Sequence, residues 1–341
     1  MDTRGVNNSG PSVNCFPQDP ISGVSQNLFY TDVYRSVDNT TLEIGFAKSG
    51  AYGDWCSAAL ALNGTNVTAG YVNTNAVATD MLRYIEVLAK SQGSNPEEAK
   101  LWYYGISYGS ILGMTYAAKY PNRIGRLMID GIVDAEDYYF GTWETCLSDA
   151  DEAVRTFYSF CFEAGPEACS FHKNASSVEE LEERYWKLYD SIRKSPIEIT
   201  DPSLGRPITI TWEDLSVLMV QSSYAPHTQF QTLADSLATL EEGNATLIAS
   251  MDNDVTDFIR SGYDDRELRT HTLCMDSNIR SEFDTIEKYT NRTNFLVNQS
   301  VYGGAWLNAW TGALCRNLKF APPEVQTMKG MFTGRKLGGE G

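Results

Sequence analysis

The stretch Leu101-Trp102-Tyr103-Tyr104-Gly105-Ile106-Ser107-Tyr108-Gly109-Ser110 limits what this chain can be more than any other part of it. A β-prone aromatic run feeds a Gly-x-Ser-x-Gly turn, and small and apolar residues follow. A serine nucleophile must stand at the tip of a strand, in a turn so tight that side chains beside it would clash. Gly105 and Gly109 remove those clashes and leave the Tyr108 amide facing the place where an oxyanion develops. Ser107 is therefore the candidate nucleophile and Tyr108 the candidate oxyanion donor. The five-residue pattern alone arises by chance in roughly one such chain in seven, so the flanks decide.

The flanks agree. Val77, Met81, Tyr84, Ile85 and Leu88 recur at helical spacing just after Asn75, and Gly93 ends the run. Behind the turn, Ile111, Leu112, Met114, Ala117 and Ala118 predict a second helix that Pro121 stops. A further apolar run, Leu127-Met128-Ile129, closes on Asp130-Gly131. Helix, strand, elbow, helix, strand predicts the α/β class, the middle of an α/β-hydrolase sheet.

Net charge and hydropathy narrow the partners. A formal charge of −17 over 341 residues argues against nucleic acid or anionic membrane, because both demand a basic face. No run approaches the length of a transmembrane helix. Asn-x-Ser/Thr sequons stand at Asn7, Asn39, Asn63, Asn66, Asn174, Asn244, Asn291 and Asn298, where composition predicts roughly three by chance. With seven cysteines, this points to a secreted glycoprotein. Met1-Asp2-Thr3-Arg4-Gly5 has neither a basic region nor an apolar core of the secretory kind. Truncation is the expectation that reconciles the two.

From about residue 140 the pattern turns helical. Ser177 and Glu180 predict a capping box ahead of Val178, Leu181, Tyr185, Leu188 and Ile192, with Pro196 ending the run. Thr211 caps a helix carrying Leu215, Leu218 and Met219, and Phe230, Leu233, Leu237 and Leu240 stripe a third that stops at Gly243. These stripes read as core rather than as a ligand pocket. The expected organisation is a partial α/β-hydrolase core over 1–139, a mainly helical cap over 140–315 and an aberrant or unstructured tail over 316–341, ending Lys336-Leu337-Gly338-Gly339-Glu340-Gly341.

Several segments taken together carry a resemblance. Asp2-Thr3-Arg4-Gly5, Ser9-Gly10-Pro11 and Cys15-Phe16 precede Trp55-Cys56, Asn73-Thr74 through Asp80, the elbow, Tyr120-Pro121-Asn122-Arg123 and Ile129-Asp130-Gly131. The chain resembles the fungal and actinobacterial secreted α/β hydrolases called tripeptidyl aminopeptidase-like, in the proline-iminopeptidase clan of serine peptidases. In that family the Asp-x-Arg-Gly loop follows the fourth strand of the sheet. A helical cap after the sixth strand roofs the active site and selects substrate. The resemblance implies release of short peptides from free N-termini through an acyl-enzyme on Ser107, with no cofactor. The expected cysteine pairs are Cys15 with Cys56, Cys161 with Cys169 and Cys274 with Cys315, leaving Cys146 over; spacing alone does not prove them.

A serine hydroxyl needs a base oriented by a carboxylate. Three histidines exist. His172 and His227 read as cap or surface residues. His271, with Asp264 and Asp265 upstream, satisfies the order Ser, Asp, His formally, but its flanks are charged rather than strand-like. The family carries acid and base after later strands, and its second oxyanion donor on a Gly-rich loop after an earlier one. Losing one donor costs about two to three orders of magnitude in rate, so the chain is expected to be close to inactive. Two confident strands, near 101–104 and 126–129, also predict an unstable or aggregation-prone fold. Cysteine spacing and the absence of His-x-x-x-His give no metal site, and Tyr302-Gly303-Gly304 is too short for a phosphate loop. The functional expectations are a serine hydrolase acting on a peptide or small acyl substrate or, alternatively, a catalytically dead remnant that survives as a binding module, or an esterase of a small metabolite.

Overall fold

The computed structural model describes residues 2–16, 39–204, 207–251, 265–277, 283–310 and 315–328. In chain order the helices are α1 (Asn39–Leu62), α2 (Asn66–Ala69), α3 (Thr74–Ser91), α4 (Tyr108–Lys119), α5 (Ala135–Phe140), α6 (Ala150–Ala164), α7 (Val178–Lys194), α8 (Trp212–Tyr224), α9 (Pro226–Glu241), α10 (Thr246–Met251), α11 (Asp265–Asp276), α12 (Ile286–Gln299) and α13 (Gly304–Trp310). The strands are β1 (Leu101–Ile106), β2 (Ile124–Asp130), β3 (Ile197–Ile199) and β4 (Ile208–Ile210). The architecture is mixed α/β and mostly helical, and the described strands form two separate two-stranded sheets. The strands expected near 101–104 and 126–129 are β1 and β2, and the described strands do not by themselves make up an α/β-hydrolase sheet.

That pair is parallel. A register shift follows Leu101 opposite Ile124, after which Trp102 to Ile106 face Arg126 to Asp130 one for one. Asn73 caps α3 by accepting the Ala76 amide at 2.8 Å, so the cap sits two residues earlier than the apolar periodicity indicates. Val77, Ala78, Met81 and Ile85 of α3 pack with Leu101, Leu112 and Tyr116, which fixes α3 and α4 against the sheet. No described residue covers the opposite face. Trp102, Tyr104, Ile106 and Met128 alternate along the two strands and are 71%, 56%, 57% and 63% exposed. Parallel strands are normally covered on both faces.

The helical region closes on itself. Val154, Phe157, Tyr158, Phe171, Leu181, Tyr185, Leu215, Met219, Leu233 and Leu237 form one buried cluster drawn from α6 to α9 and the turn before α7. Thr211 and Asp214 make the reciprocal capping box of α8. At α7 the exchange differs from the expectation. The Ser177 hydroxyl accepts the Glu180 amide at 3.2 Å, but the Glu180 carboxylate turns to Ser176, whose amide and hydroxyl both donate to one oxygen at 2.7 Å. Two donors on one residue outcompete the single N-cap amide.

A third cluster ties the N-terminal loop to the end of the chain. Cys15, Leu42, Tyr52, Cys56 and Leu60 pack with Cys274, Phe283, Tyr289, Cys315, Leu318 and Phe320. The disulfides are Cys15–Cys56, Cys161–Cys169 and Cys274–Cys315, and Cys146 is a free, exposed thiol. Within the stretch expected to be an irregular tail, Leu318, Phe320 and Met328 are buried; residues 329–341 lie outside the described residues, as does Asp264. The sequon residues Asn7, Asn63, Asn66, Asn174, Asn244, Asn291 and Asn298 are exposed, and the side chain of Asn39 lies outside the described residues.

Candidate functional site

Ser107 sits between the end of β1 and the first turn of α4 with φ 55° and ψ −118°. For a non-glycine residue this is a strained conformation costing about 1–3 kcal/mol, and it persists only where the surroundings over-determine it. They do. The Ser107 amide donates to the Asp130 carbonyl at 3.1 Å, and the Ser107 carbonyl accepts from the Ser110 amide at 2.8 Å and the Ser110 hydroxyl at 2.7 Å. The same hydroxyl accepts from the Val133 amide at 3.0 Å, tying the elbow to the chain leaving β2.

The glycine requirement has a measurable cause. A Cβ on Gly105 would lie 2.4 Å from the Gly109 carbonyl oxygen and 2.6 Å from the Tyr103 hydroxyl. That hydroxyl donates to the Gly109 carbonyl at 2.7 Å, so strand, turn and helix are pinned through the space a side chain would fill. Tyr108 opens α4, where the first amides have no partner within the helix and the helix dipole is positive.

The Tyr108 side chain belongs to a buried polar group whose members lie far apart along the chain. Its hydroxyl lies 2.6 Å from Thr74 Oγ1, which donates to Asp276 Oδ2 at 2.5 Å. The Thr74 amide donates to Asp276 Oδ1 at 2.8 Å, and the Tyr138 hydroxyl to Asp276 Oδ2 at 2.8 Å. Burial pushes the Asp276 carboxyl up to about 6, against the pull of these three donors. Burial likewise raises the Tyr108 and Tyr138 phenols. The partners are up to 202 residues apart, so no local spacing in the sequence could bring them together.

The structure brings Ser107, Tyr108, Gly105 and Gly109 into one elbow, and among the described residues no histidine or carboxylate bonds to the Ser107 hydroxyl. Ser107 is exposed, and its hydroxyl has no hydrogen-bond partner among the described residues. His271 lies in α11, buried, with Nε2 2.8 Å from the Ala69 carbonyl and its ring stacked on Phe320. His172 stacks on Phe162 in the helical region, and His227 is exposed in the first turn of α9. Among the described residues one group of three, Cys15, Cys56 and Glu267, has metal-ligand proximity. Its two sulfurs are consumed in a disulfide, and the Glu267 carboxylate accepts the Cys15 amide.

No protein-family model matches the chain. It is 26% identical over 161 residues to the Serine protease Hip1 of Mycobacterium bovis, and equally to the Serine protease Hip1 of Mycobacterium tuberculosis. The match covers 45% of this chain and 29% of those relatives, so the matched stretch spans less than a third of their length. The relationship shown is distant and general, a likeness to serine proteases over that stretch.

Proposed function

We propose that this chain is a serine-hydrolase relative that keeps the nucleophile elbow without a working triad, and that it binds a peptide N-terminus or a small acyl compound there without turning it over. One observation carries the reading: an exposed Ser107 whose hydroxyl meets no histidine among the described residues, while His271 is spent on the Ala69 carbonyl. A serine without a base loses most of the triad's contribution and keeps only what binding and oxyanion donors supply. The sequons and disulfides support a secreted glycoprotein as its setting.

A second reading is favoured by the elbow itself, because the strained Ser107 and its supports are intact. On that reading the chain resembles the tripeptidyl aminopeptidases in activity, or acts as an esterase on a small metabolite. One experiment separates the two. The purified chain and S107A are compared on chromogenic tripeptidyl and acetyl-ester substrates, with calorimetric titration of a free tripeptide. Binding with no Ser107-dependent turnover supports the first reading, and turnover abolished by S107A overturns it.

A further inference from the structure

The strained turn at Ser107 has two kinds of support. Those already described act on its backbone from the β2 side. The other acts through the Tyr108 ring and ends on a carboxylate that has no part in any triad. Thr74 has a single hydroxyl proton and donates it to Asp276 Oδ2, so the Tyr108 hydroxyl is the donor in its 2.6 Å bond to Thr74. Asp276 thus accepts from the Thr74 hydroxyl, the Thr74 amide and the Tyr138 hydroxyl, an acceptor-only arrangement that the ionised carboxylate fills best. Thr74 is the first residue of α3, where an unpaired amide and the positive end of the helix dipole both favour the anion.

Four elements meet at this one group: α3 through Thr74, α4 through Tyr108, α5 through Tyr138 and α11 through Asp276 itself. The rings are boxed in, with Tyr108 6.3 Å from Tyr138 and Tyr138 edge-on to Tyr139 at 5.2 Å. Tyr108 follows directly on the strained residue and opens α4. A tether on its ring fixes the first turn of α4 against the swing that would relax Ser107.

We infer that Asp276 is a positioning residue of the elbow, holding the Tyr108 amide in place through the Thr74 hydroxyl. The inference rests on Ser107 and Tyr108 forming an elbow, and its test reads that scaffold rather than turnover. Protonating Asp276 would put a fourth proton among three donors and break the chain to Tyr108. Among the described residues, the titratable groups that face the carboxylate are the phenols Tyr108, Tyr138 and Tyr139, all raised by burial, so none ionises in the acid range. α3 contributes only the uncharged Thr74, and His271, on the same helix, turns Nε2 to the Ala69 carbonyl.

The test is amide NMR of the full chain labelled at tyrosine, followed from pH 4.5 to 7.5. In the wild type the Tyr108 and Tyr138 amides move together, with a midpoint near 6. T74V keeps the Thr74 amide and removes the relay, so the Tyr108 response is lost while that of Tyr138 remains. D276N flattens both. A Tyr108 amide that does not titrate in the wild type, or that titrates unchanged in T74V, overturns the inference. The wild-type titration decides even if D276N does not fold, and neither outcome depends on whether Ser107 turns over substrate.

Discussion

The helical region over α6–α9 and the sheet that carries Ser107 solve the same problem to different degrees. In the helical region, Phe157, Tyr158, Phe171, Leu181, Tyr185, Leu215 and Leu237 are all at most 2% exposed, so its apolar faces satisfy one another. The two-stranded sheet buries one face against α3 and α4 and shows the other to solvent through Trp102, Tyr104, Ile106 and Met128. Helices can close a core with near neighbours in sequence, whereas a parallel sheet needs distant segments on both faces and both edges. Among the described residues, apolar burial is therefore more complete in the helical region, and the candidate nucleophile sits on the region that leaves one face exposed.

The sharpest way to break that contrast is a cavity in the helical core. Phe157 packs edge-on to Phe230 at 5.3 Å and stacks on Phe171 at 6.3 Å. Phe157→Ala should cost about 4 kcal/mol, read as a lower denaturant midpoint with an unchanged slope. A loss below about 1 kcal/mol would mean that the helical region is not the stable one.

The next effect belongs to the elbow side and depends on pH. Asp276 has its carboxyl raised from 3.8 to about 6 by burial, so the folded state binds its proton more tightly than the unfolded chain does. Its contribution is largest below the unfolded value and is lost as pH rises through the folded one, a fall of about 2 kcal/mol between pH 4 and pH 6. Chemical denaturation across that window should show the slope in the wild type and lose it in D276N. A slope that survives in D276N assigns the linkage to another group.

The Cys161–Cys169 bridge closes a separation of eight residues at the end of α6. Its double serine replacement should cost about 2–3 kcal/mol by loop entropy, with the loss confined to the helical transition if the two regions melt separately. Smallest of all, Met128→Ser on the bare face should change stability by less than about 0.5 kcal/mol and reduce light scattering on concentration. A large loss there would show that the face is covered in solution.

Much of the elbow was legible because its determinants are local. Gly105, Ser107, Gly109 and the helical runs on either side lie within about one βα unit, and steric logic at each position needs no distant partner. The strands extend two residues beyond the apolar runs at two ends, where Gly105-Ile106 and Ile124 add backbone pairing and Gly125 takes up the register shift. Asp276, Thr74 and Tyr138 were not legible. Each is an ordinary polar residue in its own segment, and only packing of α3, α5 and α11 turns them into one group. His271 shows the converse: chain order admitted it as a base, and the fold committed its ring to Ala69 and Phe320.

The most direct test of an elbow without a base is a serine-directed fluorophosphonate, with intact-mass spectrometry of the full chain beside S107A. The account predicts that the wild type gains the probe no faster than S107A over hours at neutral pH. Rapid stoichiometric labelling that S107A abolishes would show a working base at Ser107 and contradict it.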